Sequence, residues 1–242
     1  MPRALRLFTY GALLASFVMI ARAAIGLETL PPAVLILVLL LVYILFELFQ
    51  VNLPSGIGIS LGASVVTVSL VLFGSPLAIL LQAVGAVAIG LLLRAPREWL
   101  AVNFANYVLS VASAGLAFSA VGGVVGEPFA LSSLPFILAV LVLFLTQAVL
   151  TSIVLSLYKA QPLRTSIREI GRVSAVLSLV TIVCSRSLVA AAQAWGLAPA
   201  ACVAGALAVG GSLAVRRLAK QIQRRMLEEL VPPDIAASSE PS

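Results

Sequence analysis

Asn103, Asn106, Ser110 and Ser113 recur at intervals of three, four and three residues, and Ser174, Ser178, Thr181 and Ser185 at four, three and four. Each set therefore falls on one face of a helix. Two further stripes accompany them: Ser60, Ser64 and Thr67, and Gln147, Thr151 and Tyr158 with Ser152 and Ser156 alongside. These groups donate and accept hydrogen bonds, so their chemistry is recognition or helix pairing, not bond breaking. Serine and threonine at such spacings are ordinary residues of close helix packing. An amide has four hydrogen-bonding sites to satisfy, so Asn103, Asn106 and Gln147 read equally as inter-helix bonds and as the lining of a cavity. With Thr151 and Ser178 they form the polar part of a candidate ligand site.

Glu47 and Arg186 complete the candidate set, because each interrupts an otherwise apolar run. Glu47 lies close to Gln50 and Asn52 at the end of its run and reads first as an interfacial residue. Arg186 is about eight residues from its run's end, where snorkelling to the interface and a binding role are equally open. The chain has no histidine, which removes Ser-His, Cys-His and His-metal chemistry. Glu47 has no second carboxylate inside the apolar runs with which to share acid–base work. No enzymatic activity, metal or cofactor is expected. The glycine-rich passage NLPSGIGISLGAS, residues 52–64, has neither the GxxxxGK[ST] nor the GxGxxG pattern, and reads as a tight turn with close helix contact. Gly11 with Ala15, and Gly85, Ala86 and Gly90, are weaker small-residue packing signals.

The elements that must position these residues follow from composition. Of 242 residues, 62% are apolar and 10% charged, too much apolar surface for a soluble fold to cover. Apolar runs at 7–25, 32–50, 57–73, 76–94, 99–121, 134–158, 170–194 and 197–215 are each near the length needed to span a bilayer. The fold class expected is all-α, a polytopic transmembrane bundle of about eight helices occupying residues 1–215. The first run resembles a signal peptide only in its leading Arg3 and Arg6; Thr9, Tyr10 and Ser16 interrupt it and no cleavage site ends it, so it reads as a retained helix. Cys184 and Cys202 lie inside apolar runs without a CxxC spacing and carry no redox information.

Thirteen of the fifteen basic residues fall in four places: Arg3 and Arg6; Arg94 and Arg97; Lys159, Arg164, Arg168 and Arg172; and Arg216, Arg217, Lys220, Arg224 and Arg225. Eight crossings put all four on one side, and the positive-inside asymmetry makes that side, with both termini, cytoplasmic. Glycines at 58 and 62 leave the 57–73 run open to a re-entrant reading, but a failed crossing there would move Arg94 and Arg97 outside, so the charge pattern favours a full span. Most of the polar stripe residues then fall in the inner half of the bilayer, and a cavity among them would open inward. The net charge of +6 accordingly indicates contact with anionic lipid and not with nucleic acid. Residues 216–231 continue the last helix as an amphipathic stretch with Leu218, Ile222, Met226 and Leu230 on one stripe, stopped by Pro232 and Pro233. That stretch, from about 214, is expected either to lie on the inner leaflet or to pair with a signalling partner, and a homodimer is a further expected assembly. Residues 232–242 read as a disordered tail.

The order of features in FELFQVNLPSGIGISLGASVVTVSLVLFGSPLAILLQAVGAVAIGLLLRAPREWLAVNFANYVLSVASAGLAF, starting at Phe46, resembles the N-terminal membrane sensor regions of bacterial HD-GYP and GGDEF signalling proteins. The likeness is carried by the P-x-G-x-x-x-S-L-G turn, the F-G-S-P turn and the N-F-A-N element. It implies a bacterial cytoplasmic-membrane sensory or scaffold module that signals through its terminal helix, here without an HD or GGDEF sequence within the 242 residues. A second likeness, to the substrate-binding membrane subunits of energy-coupling-factor vitamin transporters, implies a transport component instead. Those subunits usually have six helices and an outward-facing loop where the charge pattern here places residues 52–57 inside.

Overall fold

In a computed structural model of the chain, residues 1–27, 30–48, 50–52, 58–126 and 134–195, with 206 and 210, are described. They form an all-α bundle with one two-residue antiparallel pair. The order is α1 (Arg3–Ile25), α2 (Ala33–Leu48), β1 (Val51–Asn52), β2 (Gly58–Ile59), α3 (Gly62–Leu92), α4 (Arg97–Ala120), α5 (Leu134–Lys159) and α6 (Leu163–Trp195). Asn52 pairs with Gly58 and Val51 with Ile59. Among the described residues, five helices are long and apolar enough to cross a membrane: Arg3–Ile25, Gly62–Leu92, Arg97–Ala120, Leu134–Lys159 and Leu163–Ala190. The run at 197–215, the amphipathic stretch 216–231 and the tail 232–242 lie outside the described residues, apart from 206 and 210, which are helical.

α3 is not one rod. Gly74 has φ 85° and ψ 170°, a conformation essentially closed to residues with a Cβ, and Pro76 follows it. The F-G-S-P sequence thus divides α3 into limbs at 62–73 and 75–92, matching the break between two apolar runs. Gly62 packs against Glu47 and Gly85 against Tyr43, although Tyr43 and Glu47 are one helical turn apart on α2. A straight helix would separate positions 62 and 85 by about 34 Å, so the limbs must fold back on each other. The first limb, twelve residues long, covers only about 18 Å, well short of a hydrocarbon core of about 30 Å. The 57–73 run is therefore a half-length helix preceded by the β1–β2 pair, where the sequence suggested a span from residue 57.

The remaining helices run alternately. Gly90 meets Leu100 and Gly115 meets Ser75, so α4 is antiparallel to the 75–92 limb. The backbone N–H of Gly126 donates to the Val71 carbonyl at 2.9 Å, fixing the far end of the first limb beside the end of α4. At the opposite end the N-terminal amino group lies 3.9 Å from Glu98, and Trp99 packs edge-on to Tyr158 with ring centroids 5.2 Å apart. Arg3, Arg6, Arg94, Arg97, Lys159 and Arg164 are all exposed around that end. Short turns close it, with Arg94 and Ala160 at φ 51° and Pro96 and Pro162 leading into the next helices. α6 begins at Leu163, seven residues earlier than its apolar run, and carries Arg164, Arg168 and Arg172 on one exposed face.

The core lies on α3, where Val65, Val66, Leu70 and Val71 share one buried apolar cluster with Phe118 of α4 and Phe136 of α5. α1 instead turns Leu7, Tyr10, Leu14, Phe17 and Val18 outward. Among the described residues nothing lies within 4 Å of where a Cβ on Gly11 would sit, so the Gly11–Ala15 signal marks no helix contact among them.

Candidate functional site

A cavity of about 500 Å³ opens between α2, α3, α4, α5 and α6. α4 contributes Asn103, Asn106 and Tyr107. α5 contributes Gln147, Thr151 and Tyr158, spaced four and seven along one face, and α6 contributes Ser174. Glu47 enters from the last turn of α2, Ser60 from the end of the β1–β2 pair, and Gln82 from the 75–92 limb. Gln82 is ten residues from Leu92, about 15 Å along the helix axis, so the inner part of the cavity lies near half the depth of a bilayer. Exposed Lys159 and Tyr158 lie at its other extreme, on the end that gathers the basic residues.

Glu47 is 4% exposed, which corrects the expectation that it sits at an interface. Ser60 Oγ donates to its Oε1 at 2.5 Å, and the Gly62 N–H donates in turn to Ser60 Oγ at 3.3 Å. Gly62 begins α3, so the carboxylate rests at the positive end of that helix, where a Cβ on residue 62 would collide with it. The placement is needed because Glu47 is itself at the negative end of α2. A buried carboxylate loses several kcal/mol of hydration; one charged hydrogen bond returns about 1.5–3 kcal/mol and a helix N-terminus up to ~2 kcal/mol. These offset much of the cost and hold the group in one orientation. Among the described residues no Lys or Arg is paired with Glu47, and Oε2 accepts no hydrogen bond.

The other polar groups divide by role. Asn106 Nδ2 donates to Thr151 Oγ1 at 2.9 Å, tying α4 to α5 across the cavity wall. Gln82 Nε2 donates to the Tyr43 hydroxyl at 2.8 Å. Asn103 and Gln147 line the cavity without a hydrogen bond to the described residues, so their amides face open space. Ser64, Thr67 and Ser185 are packing groups: Thr67 Oγ1 and Ser185 Oγ are 3.0 Å apart, and Ser185 donates to the Ser64 carbonyl at 3.2 Å, joining α3 to α6.

Of the seven residues singled out in the sequence, Glu47, Asn103, Asn106, Gln147 and Thr151 meet at this cavity. Ser178 and Arg186 are not in its wall. Ser178 is buried and donates to its own helix at Ala175, and Arg186 is exposed on α6. Gln82, Trp99 and Tyr107 were not anticipated. Gln82 is the lone amide of its apolar run and Tyr107 is four residues from Asn103 on the same face of α4, signals that could have found these two, whereas no spacing marks Trp99. Among the described residues no three Cys, His, Asp or Glu side chains come together as a metal site. No known protein family, curated protein or solved structure matches the chain.

Proposed function

We propose that this protein is a ligand-binding sensory module of the bacterial cytoplasmic membrane, with its cavity open to the cytoplasm. The observation that carries the reading is the convergence of amides with unmet hydrogen-bonding capacity, Asn103 and Gln147, and a buried carboxylate on one cavity of about 500 Å³, a size typical of small-molecule sites. Non-helical backbone at membrane depth persists where it borders protein or a wet cavity, and the β1–β2 pair before the half-length limb fits that requirement. The basic residues around the mouth favour the cytoplasmic side by the positive-inside rule and would hold anionic lipid there. Output would pass through the amphipathic stretch 214–231 to a partner, as in the HD-GYP and GGDEF sensors that the motifs resemble.

Native mass spectrometry of the purified protein and its Asn106→Leu variant tests the reading. A discrete bound mass that the variant loses is the expected result. Absence of any bound mass, with identical spectra for both proteins, would overturn it.

A further inference from the structure

Glu47 keeps one carboxyl oxygen without a partner among the described residues. The helix N-terminus and Ser60 hold Oε1, whereas Oε2 takes no bond from the described residues and belongs to a side chain in the cavity wall. Both supports stabilise the ionised carboxylate, not its protonated form, because each directs a positive dipole at the oxygen. Around the same space stand groups suited to a nitrogen cation with an apolar body. The Gln147 amide has no hydrogen bond to the described residues, and the Asn106 side-chain oxygen, Oδ1, has only a 3.5 Å contact from Ser110 while its Nδ2 is used on Thr151. Tyr107, Phe144 and Leu143 supply aromatic and aliphatic wall. Lys159, the basic residue in the wall, is exposed at the mouth, where it does not neutralise the interior.

We propose that the ligand of this cavity is a small organic amine bound as its cation, with the charged nitrogen on Glu47 Oε2 and the apolar remainder along Tyr107, Phe144 and Leu143. The inference rests on the ligand-binding reading and gives it a substrate class. A neutral molecule can at most donate a hydrogen bond to Oε2 and leaves the carboxylate charge uncompensated, whereas an ammonium supplies the opposite charge and still has protons for Gln147 and Asn106.

Phenethylamine and 2-phenylethanol differ by the charge and not by the shape, so the full-length protein in detergent can be titrated calorimetrically with each. The amine is expected to bind about tenfold to a hundredfold more tightly than the alcohol. Glu47→Gln, which preserves the acceptor for Ser60, is expected to remove that advantage and bring the affinities of amine and alcohol within about twofold of each other. Equal affinity of the wild-type protein for both probes would overturn the cation assignment while sparing the cavity, and needs no variant to fold. An amine advantage that survives Glu47→Gln would overturn the role of Glu47, and no detectable amine binding at millimolar concentration would overturn the proposal outright. The native mass spectra report separately on whether the cavity holds any ligand.

Discussion

Gly85→Ala and Gly11→Ala are the same chemical change at two helix positions, and the fold predicts opposite effects on stability. Both gain helix propensity, worth up to about 1 kcal/mol for replacing glycine with alanine. At Gly11 nothing among the described residues lies within 4 Å of the new methyl, so the whole gain of about 0.5–1 kcal/mol should be realised. At Gly85 the methyl would run into the ring of Tyr43, which is 1% exposed and whose hydroxyl is held by Gln82. Overpacking of this kind costs about 1–3 kcal/mol, and swinging the ring aside would forfeit a hydrogen bond worth about 0.5–1.5 kcal/mol. The clash outweighs propensity, leaving Gly85→Ala about 1–2 kcal/mol less stable than the parent. SDS titration of detergent-solubilised protein, followed by far-ultraviolet circular dichroism, measures both variants on one scale. The difference between them, about 2 kcal/mol, isolates the contact between α2 and the second limb of α3. Equal shifts for the two variants would refute the folded-back arrangement of α3.

Three further outcomes are expected. Gly74→Ala forces a Cβ into a backbone conformation reserved for glycine and should cost about 1–3 kcal/mol in the same titration; an unchanged midpoint would mean that the limbs do not turn there. Asn106→Leu should reduce occupancy of the bound mass by about tenfold or more, whereas Ser110→Ala, whose hydroxyl mainly bonds back to the Asn106 backbone carbonyl at 2.7 Å, should stay within about twofold. Equal losses in native mass spectra would assign both residues to packing. Deleting 216–231 should abolish association with a co-purifying partner and leave the bound mass in place, and an unaltered pull-down would reject signalling through that stretch.

The periodicity of polar residues was legible because lipid provides no hydrogen-bond partner, so Asn103, Asn106, Gln147 and Thr151 had to turn inward. The same periodicity could not separate lining from packing. Thr67 and Ser185 stand in stripes of similar spacing but bond to each other, and Ser185 also to the Ser64 carbonyl, across α3 and α6, a result set by which helices meet. Glu47 was misjudged for a similar reason: it closes an apolar run and looks interfacial until the chain returns at Gly62 and covers it. The early start of α6 escaped notice because Arg164, Arg168 and Arg172, four residues apart, continue the helix outside the apolar run with their charges on one exposed face. The break at F-G-S-P was visible, since glycine and proline together end a helical run. The glycines at 58 and 62 also pointed to a re-entrant segment, but the charge pattern favoured a full crossing because it does not register that α2 and the half-length limb together can turn back and still leave Arg94 and Arg97 at the basic end.

The cavity can be tested directly by substituted-cysteine labelling. Gln147 lines it, whereas Leu145, two residues away on α5, is 64% exposed on an outward face. With Cys184 and Cys202 replaced by alanine, Gln147→Cys and Leu145→Cys would be treated with a membrane-impermeant methanethiosulfonate in inverted and right-side-out vesicles. The account predicts reaction of the cysteine at 147 in inverted vesicles alone and silence at 145 in both. An unreactive cysteine at 147, or one that reacts from the outer side, would contradict a wet cavity open at the basic end of the bundle.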